Sequence, residues 1–112
     1  MRVISQDGTM DVPYEISSFS MAVGKYENVE HAVIFCYNYS TSIGTKIAEY
    51  CSKEKAKKAM EMLRIAYENN EFYHHTSNSE HFTEFAKALS EEMFKKAKAE
   101  YFRFPQDDEI EV

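Results

Sequence analysis

His31-Ala32-Val33-Ile34-Phe35-Cys36-Tyr37-Asn38-Tyr39 is apolar on both of the faces that an extended chain would present. Successive side chains of a strand point to opposite sides. Ala32, Ile34 and Cys36 therefore share one side, and Val33, Phe35, Tyr37 and Tyr39 the other. A strand covered on both sides is usually a central one. In so short a chain the second cover is either core packing or another subunit, and the latter would make a homodimer or higher homo-oligomer. Tyrosines suit such a surface because each joins a large apolar body to a polar tip.

Working outward toward the N-terminus, Phe19, Met21 and Val23 alternate with Ser18, Ser20 and Ala22, which predicts a half-buried strand. Gly24 to Glu30 reads as a polar turn. Arg2–Ser5 and Met10–Tyr14 flank Gln6-Asp7-Gly8-Thr9, whose Asp-Gly pair predicts a type I′ hairpin. Pro13 removes a backbone donor and sets that strand at an edge or near its end. Toward the C-terminus, Ser40–Gly44 reads as a turn and Lys46–Cys51 as a further strand.

Ser52 has the position of an N-cap, its hydroxyl free to accept an amide hydrogen of the first helical turn. The helix it opens is expected to run to about Glu68, with Ala56, Ala59, Met60, Leu63, Ala66 and Tyr67 as its buried stripe. Asn69–Ser79 reads as a polar link. Ser77-Asn78-Ser79-Glu80 has capping-box spacing and predicts a second helix, with Phe82, Phe85, Ala86, Leu89, Met93 and Ala97 facing inward. Tyr101–Phe104 returns as a strand that Pro105 stops. The expected class is α+β: a mainly antiparallel sheet of about six strands with two helices on one face, in the order βββββααβ.

The 112 residues suit a single domain, 1–112, with residues 105–112 as an acidic C-terminal tail. Three Gly, two Pro and 14% aromatic residues argue against disorder. A net charge of −6 disfavours general nucleic-acid binding, which needs a positive surface to displace counterions. No apolar stretch approaches the roughly 18–20 residues of a membrane span, and the opening residues do not resemble a signal peptide, so a cytoplasmic location is expected. Cys36 and Cys51 read as small buried hydrophobes in that setting.

His74, His75 and His81 lie close in sequence, but their spacing matches no standard metal site, and no metal or cofactor is expected. Neither a Gly-rich phosphate loop nor a nucleophile with its base is visible, so the chain does not read as an enzyme. The acidic tail either solvates the chain or mimics phosphate for a basic partner. Arg103 stands on the closing strand on the same side as Tyr101. There it either grips a phosphate and stacks on a base, or pairs with Glu100 or the tail. Arg64 lies mid-helix, apart from the main stripe.

The opening Met1–Glu15, the helical Glu54–Arg64 and the closing Phe102-Arg-Phe-Pro-Gln-Asp-Asp-Glu109 resemble small proteins of phages and prophages of gut Clostridia. The element order resembles the Thoeris anti-defence sponge family, whose members bind cyclic ADP-ribose-type signals or other cyclic nucleotides without cleaving them. That resemblance implies a phage-encoded homodimer that sequesters a cyclic nucleotide immune signal. A nucleotide pocket needs an aromatic or guanidinium plane and cationic donors, for which Arg103, Tyr101, Arg64 and Lys58 are the candidates. The rival expectations are a protein-binding inhibitor of a host defence nuclease, acting through its acidic surface, and an accessory structural phage protein.

Overall fold

The computed structural model describes residues 1–38, 41–76 and 100–112, with the side chains of 41–43 and 76 excepted. The expectation of a second helix within residues 77–99 lies outside the described residues, as does Tyr39. The class is α+β. The described residues form six strands: β1 (Arg2–Ile4), β2 (Asp11–Pro13), β3 (Ser17–Tyr26), β4 (Val29–Asn38), β5 (Thr41–Tyr50) and β6 (Tyr101–Arg103). They form two three-stranded sheets, β2-β1-β6 and β3-β4-β5, where the sequence led us to expect one sheet of about six strands. Within the first sheet β1 pairs antiparallel with β2 and parallel with β6; the second is antiparallel throughout.

The central-strand expectation is met in the second sheet, where β4 lies between β3 and β5. Ala32, Ile34 and Cys36 are buried, while Val33 and Phe35 are half-buried and Tyr37 is exposed. The buried side faces the helix α1 (Lys53–Thr76). Ser52 Oγ accepts the Lys55 N–H at 3.2 Å as the expected N-cap, and Glu30 Oε1 accepts the Lys53 N–H at 2.7 Å. Ala56, Ala59 and Leu63 of α1 join Ile34, Ala48 and Tyr50 in the core.

α1 continues past Glu68, through most of the segment expected to be a polar link, to Thr76. Polarity was a misleading stop signal there. Asn70 lies on the same stripe as Leu63 and is only 2% exposed, so the buried face runs on through a polar residue.

The two tight turns also differ from expectation. Ser5 C=O accepts the Gly8 N–H at 2.9 Å, and Gly8 alone in that turn has positive φ, +77°. Asp7 keeps negative φ, so this is not a type I′ turn but an i→i+3 turn closed by a left-handed glycine. The Asp7 carboxylate decides it by accepting from Thr9 Oγ1 (2.7 Å), Ser5 Oγ (2.7 Å) and the Thr9 N–H (3.0 Å). The type I′ geometry occurs instead between β3 and β4, where Glu27 and Asn28 have φ of 51° and 67°. Between Cys36 and Asn38 the β4–β5 register is irregular, and β5 begins at Thr41, so much of the segment read as a Ser40–Gly44 turn is strand. Gly44 is needed in that strand, since a Cβ there would lie 2.5 Å from the Tyr37 ring. Pro13 ends the edge strand β2, as its missing donor predicts.

The acidic tail is not a free tail. A short 3-10 turn, Asp107–Glu109, follows Gln106, and Ile110 beyond it is 4% exposed within the core. Asp107 Oδ1 accepts the Cys51 N–H at 2.7 Å, and Asp107 Oδ2 pairs with Lys55 Nζ at 3.1 Å. Phe104 is fully buried, and Tyr50 donates its hydroxyl to Pro105 C=O at 2.8 Å. Burial, with Asp107 and Glu109 nearby, raises the Tyr50 phenol far above its ordinary range. In the segment read as either a solvating or a phosphate-mimicking tail, the Asp107 carboxylate thus docks the chain end against the start of α1. Of the cysteines, both free, Cys36 is buried as expected and Cys51 is exposed. It lies just ahead of α1 in the turn that Asp107 closes, outside the buried stripe.

Candidate ligand-binding cleft

Every polar group of Gln6 is used where the two sheets meet. Its backbone N–H donates to Ile47 C=O at 2.9 Å, and its side-chain amide bonds the Glu49 backbone. Its own carbonyl accepts from Gln106 Nε2 (2.7 Å) and Arg103 Nη2 (3.2 Å). This junction fixes β1 and the closing strand against the edge of β5. It also leaves the segment after β2 free to cross toward α1.

That crossing builds a cleft of about 940 Å³ between β3 and one flank of α1. The 3-10 turn Tyr14–Ile16 supplies Tyr14 and Glu15, and β3 supplies Ser17, Phe19 and Met21. The helix supplies Lys57, Met60, Glu61, Leu63, Arg64 and Tyr67. Tyr14 and Tyr67 stack with ring centroids 4.1 Å apart and planes 25° from parallel, and Phe19 extends the aromatic floor 6.0 Å from Tyr14. Stacked rings at this spacing form an apolar plate on which another flat ring can lie.

The electrostatics are mixed. Lys57 and Arg64 bring cations, Glu15 and Glu61 carboxylates. Glu15 is already engaged, 2.5 Å from the Met1 ammonium, which holds its carboxyl below the usual range. Burial raises the Tyr67 phenol, and the Glu71 and Glu15 charges add to the effect, so Tyr67 is a neutral hydroxyl at physiological pH. The cleft can thus stack a planar ring, bind an anion through Arg64 and Lys57, and accept hydrogen bonds at Glu61.

Of the four residues singled out from the sequence, Arg64 lines this cleft and the other three do not. Lys58 Nζ donates to Glu111 C=O at 2.6 Å, securing the chain end. Arg103 packs over Gly8 and lines a separate hollow of about 370 Å³ with Phe104, Pro105, Gln106 and Glu109. Tyr101 is 58% exposed on β6. Arg2 pairs with Asp11, so the three arginines serve three different places. His74 and His75 are exposed, His81 lies outside the described residues, and no cluster of metal-ligating groups occurs among the described residues.

Sequence reasoning missed Tyr14, Phe19 and Lys57 as cleft residues and took Tyr67 for core. One signal was present: Lys57, Glu61, Arg64 and Tyr67 recur at helical spacing, a polar stripe beside the apolar one. No corresponding signal marks Tyr14. Among the described residues no helix is long and apolar enough to cross a membrane. No family model matches this chain, and no curated protein or solved structure does either.

Proposed function

We propose that this protein is a phage-encoded anti-defence protein that captures a cyclic nucleotide immune signal, of the cyclic ADP-ribose or cyclic oligonucleotide type, in the cleft between β3 and α1 and holds it without cleaving it. The observation that carries this reading is the Tyr14–Tyr67 stack opening beside Arg64 and Lys57. The base lies against the tyrosine plate. Arg64 takes a phosphate in its two-pronged grip and Lys57 neutralises a second anionic oxygen. Glu61 accepts from a sugar hydroxyl or a base amine. Arg103, Tyr101 and Lys58, the other residues expected to bind ligand, act in this reading to hold the fold in which the cleft forms.

The test is a thermal-shift titration with cyclic ADP-ribose, its isomers and cyclic di- and trinucleotides, followed by chromatography of the recovered ligand. Binding to the native state raises the melting temperature with ligand concentration. The expected result is a rising shift, ligand recovered intact, and loss of the shift in Arg64→Ala and Tyr67→Ala. A shift with altered ligand would make the protein an enzyme; no shift across the panel would remove this reading.

A further inference from the structure

β3 is an edge strand of ten residues, Ser17–Tyr26, with a single charged residue, Lys25, and no proline. Long edges of this kind template pairing with another chain unless something covers or blunts them. The other edges are managed. β2 is three residues long and ends in Pro13, β6 is equally short, and β5 is stitched to Gln6. Beyond Ser17, whose N–H donates to Tyr14 C=O, nothing among the described residues bonds the outer edge of β3, and residues 22–26 are all exposed.

The hairpin determines which groups that edge presents. A two-residue turn makes Tyr26–Val29 a hydrogen-bonded pair, so the even-numbered residues of β3 bond β4. Phe19, Met21, Val23 and Lys25 then direct their N–H and C=O groups outward. They also share one face, because Phe19 and Met21 line the cleft and Val23 and Lys25 follow at strand period two.

We propose that β3 pairs antiparallel with β3 of a second copy of this chain about a two-fold axis at Ala22, joining the two β3-β4-β5 sheets into one six-stranded sheet. The bond pattern and the face pattern agree only when odd residues meet odd ones, and this register satisfies both. Val23, 45% exposed in the single chain, lies against the partner's Met21. Lys25 lies against the partner's Phe19 and never against another Lys25. A foreign strand would have to match this spacing by chance, whereas β3 matches itself. The pairing deepens the proposed function, on which this last part rests. Each cleft gains the partner's Lys25 at its rim beside Glu15 and Glu61, a third cation for a polyanionic ligand.

Amide hydrogen exchange by NMR tests the pairing without ligand or mutation. The amides of Phe19, Met21, Val23 and Lys25 are expected to become protected as protein concentration rises, and fast exchange at every concentration overturns the proposal. Sedimentation of Val23→Pro, which removes an outward donor and none that bonds β4, is expected to give a folded monomer where the native chain gives a dimer; a folded Val23→Pro dimer places the interface elsewhere and also overturns it. Carbodiimide cross-linking of mixed light and ¹⁵N-labelled chains reads the position of Lys25. Interchain links from Lys25 to Glu15 or Glu61 are expected, and links within one chain only overturn its placement. A failed ligand panel would remove the nucleotide reading while leaving the pairing to these results.

Discussion

Gln6 lays its side-chain amide along the backbone of Glu49, accepting the Glu49 N–H at 2.9 Å and donating to the Glu49 C=O at 3.0 Å. A glutamine thereby stands in for one residue of an adjoining strand, and it joins the edge of β5 to the end of β1. The same amide nitrogen reaches Pro105 C=O at 3.2 Å, so one side chain ties the start, middle and end of the chain.

Gln6→Ala should therefore destabilise more than an ordinary surface substitution. It leaves the backbone N–H and C=O of Glu49 without partners, at a cost of about 1–3 kcal/mol, while Pro105 C=O keeps the Tyr50 hydroxyl. Urea denaturation followed by circular dichroism measures it. A loss within the ordinary surface range would mean that water replaces the amide.

Asp7 and Asp107 make stability sensitive to acid. Hydrogen bonds from the Thr9 and Ser5 hydroxyls lower Asp7 from 3.8 to about 2, and the Cys51 N–H, with Lys55, lowers Asp107. A carboxyl with depressed folded pKa contributes stability above its unfolded pKa and loses it as pH falls through the folded value. Melting temperature should therefore decline as pH falls below about 4, and Asp7→Asn or Asp107→Asn should flatten that decline while lowering stability at neutral pH. Lys55 has the opposite sign: its pKa is raised by Asp107, so its contribution is present below the usual lysine value and fades at strongly alkaline pH.

Truncation after Pro105 should impair folding rather than remove a mere appendage. It would delete Ile110 from the core and the Asp107 carboxylate from Cys51 and Lys55. Ile110→Ala alone is expected to cost about 2–4 kcal/mol, as large-to-small core changes do. A charge reversal at exposed Asp108 or Glu111 should leave the melting temperature nearly unchanged. These reversals, not truncation, separate an acidic inhibitor surface from a ligand-binding role.

Gly44→Ala should force the Tyr37 ring off the strand it crosses, at about 1–2 kcal/mol. Much of that loss should vanish against a Tyr37→Ala background, where no ring is present to clash. A double-mutant cycle reads the coupling, and strictly additive effects would contradict the packing described.

How far the sequence alone decided this protein follows from the range of each interaction. The central strand was legible because the apolar residues of 31–39 alternate over both faces, and a strand's two-residue period needs no distant partner to be read. The Ser52 cap was legible because its bond spans three residues. The Pro13 edge was legible because a missing donor is a property of the residue itself. Tertiary structure alone decided how the two sheets meet, since that depends on Gln6 meeting Glu49 and Pro105. It also decided that one carboxylate of an acidic run becomes an anchor, because Asp107 finds Cys51 and Lys55 only after folding. The cleft is the same case: Arg64 and Tyr67 are neighbours on a helix, but Tyr14 joins them only because the chain crosses from the small sheet to α1. Local periodicity records what one element buries; which distant element completes a site is determined by packing free energy summed over the whole chain.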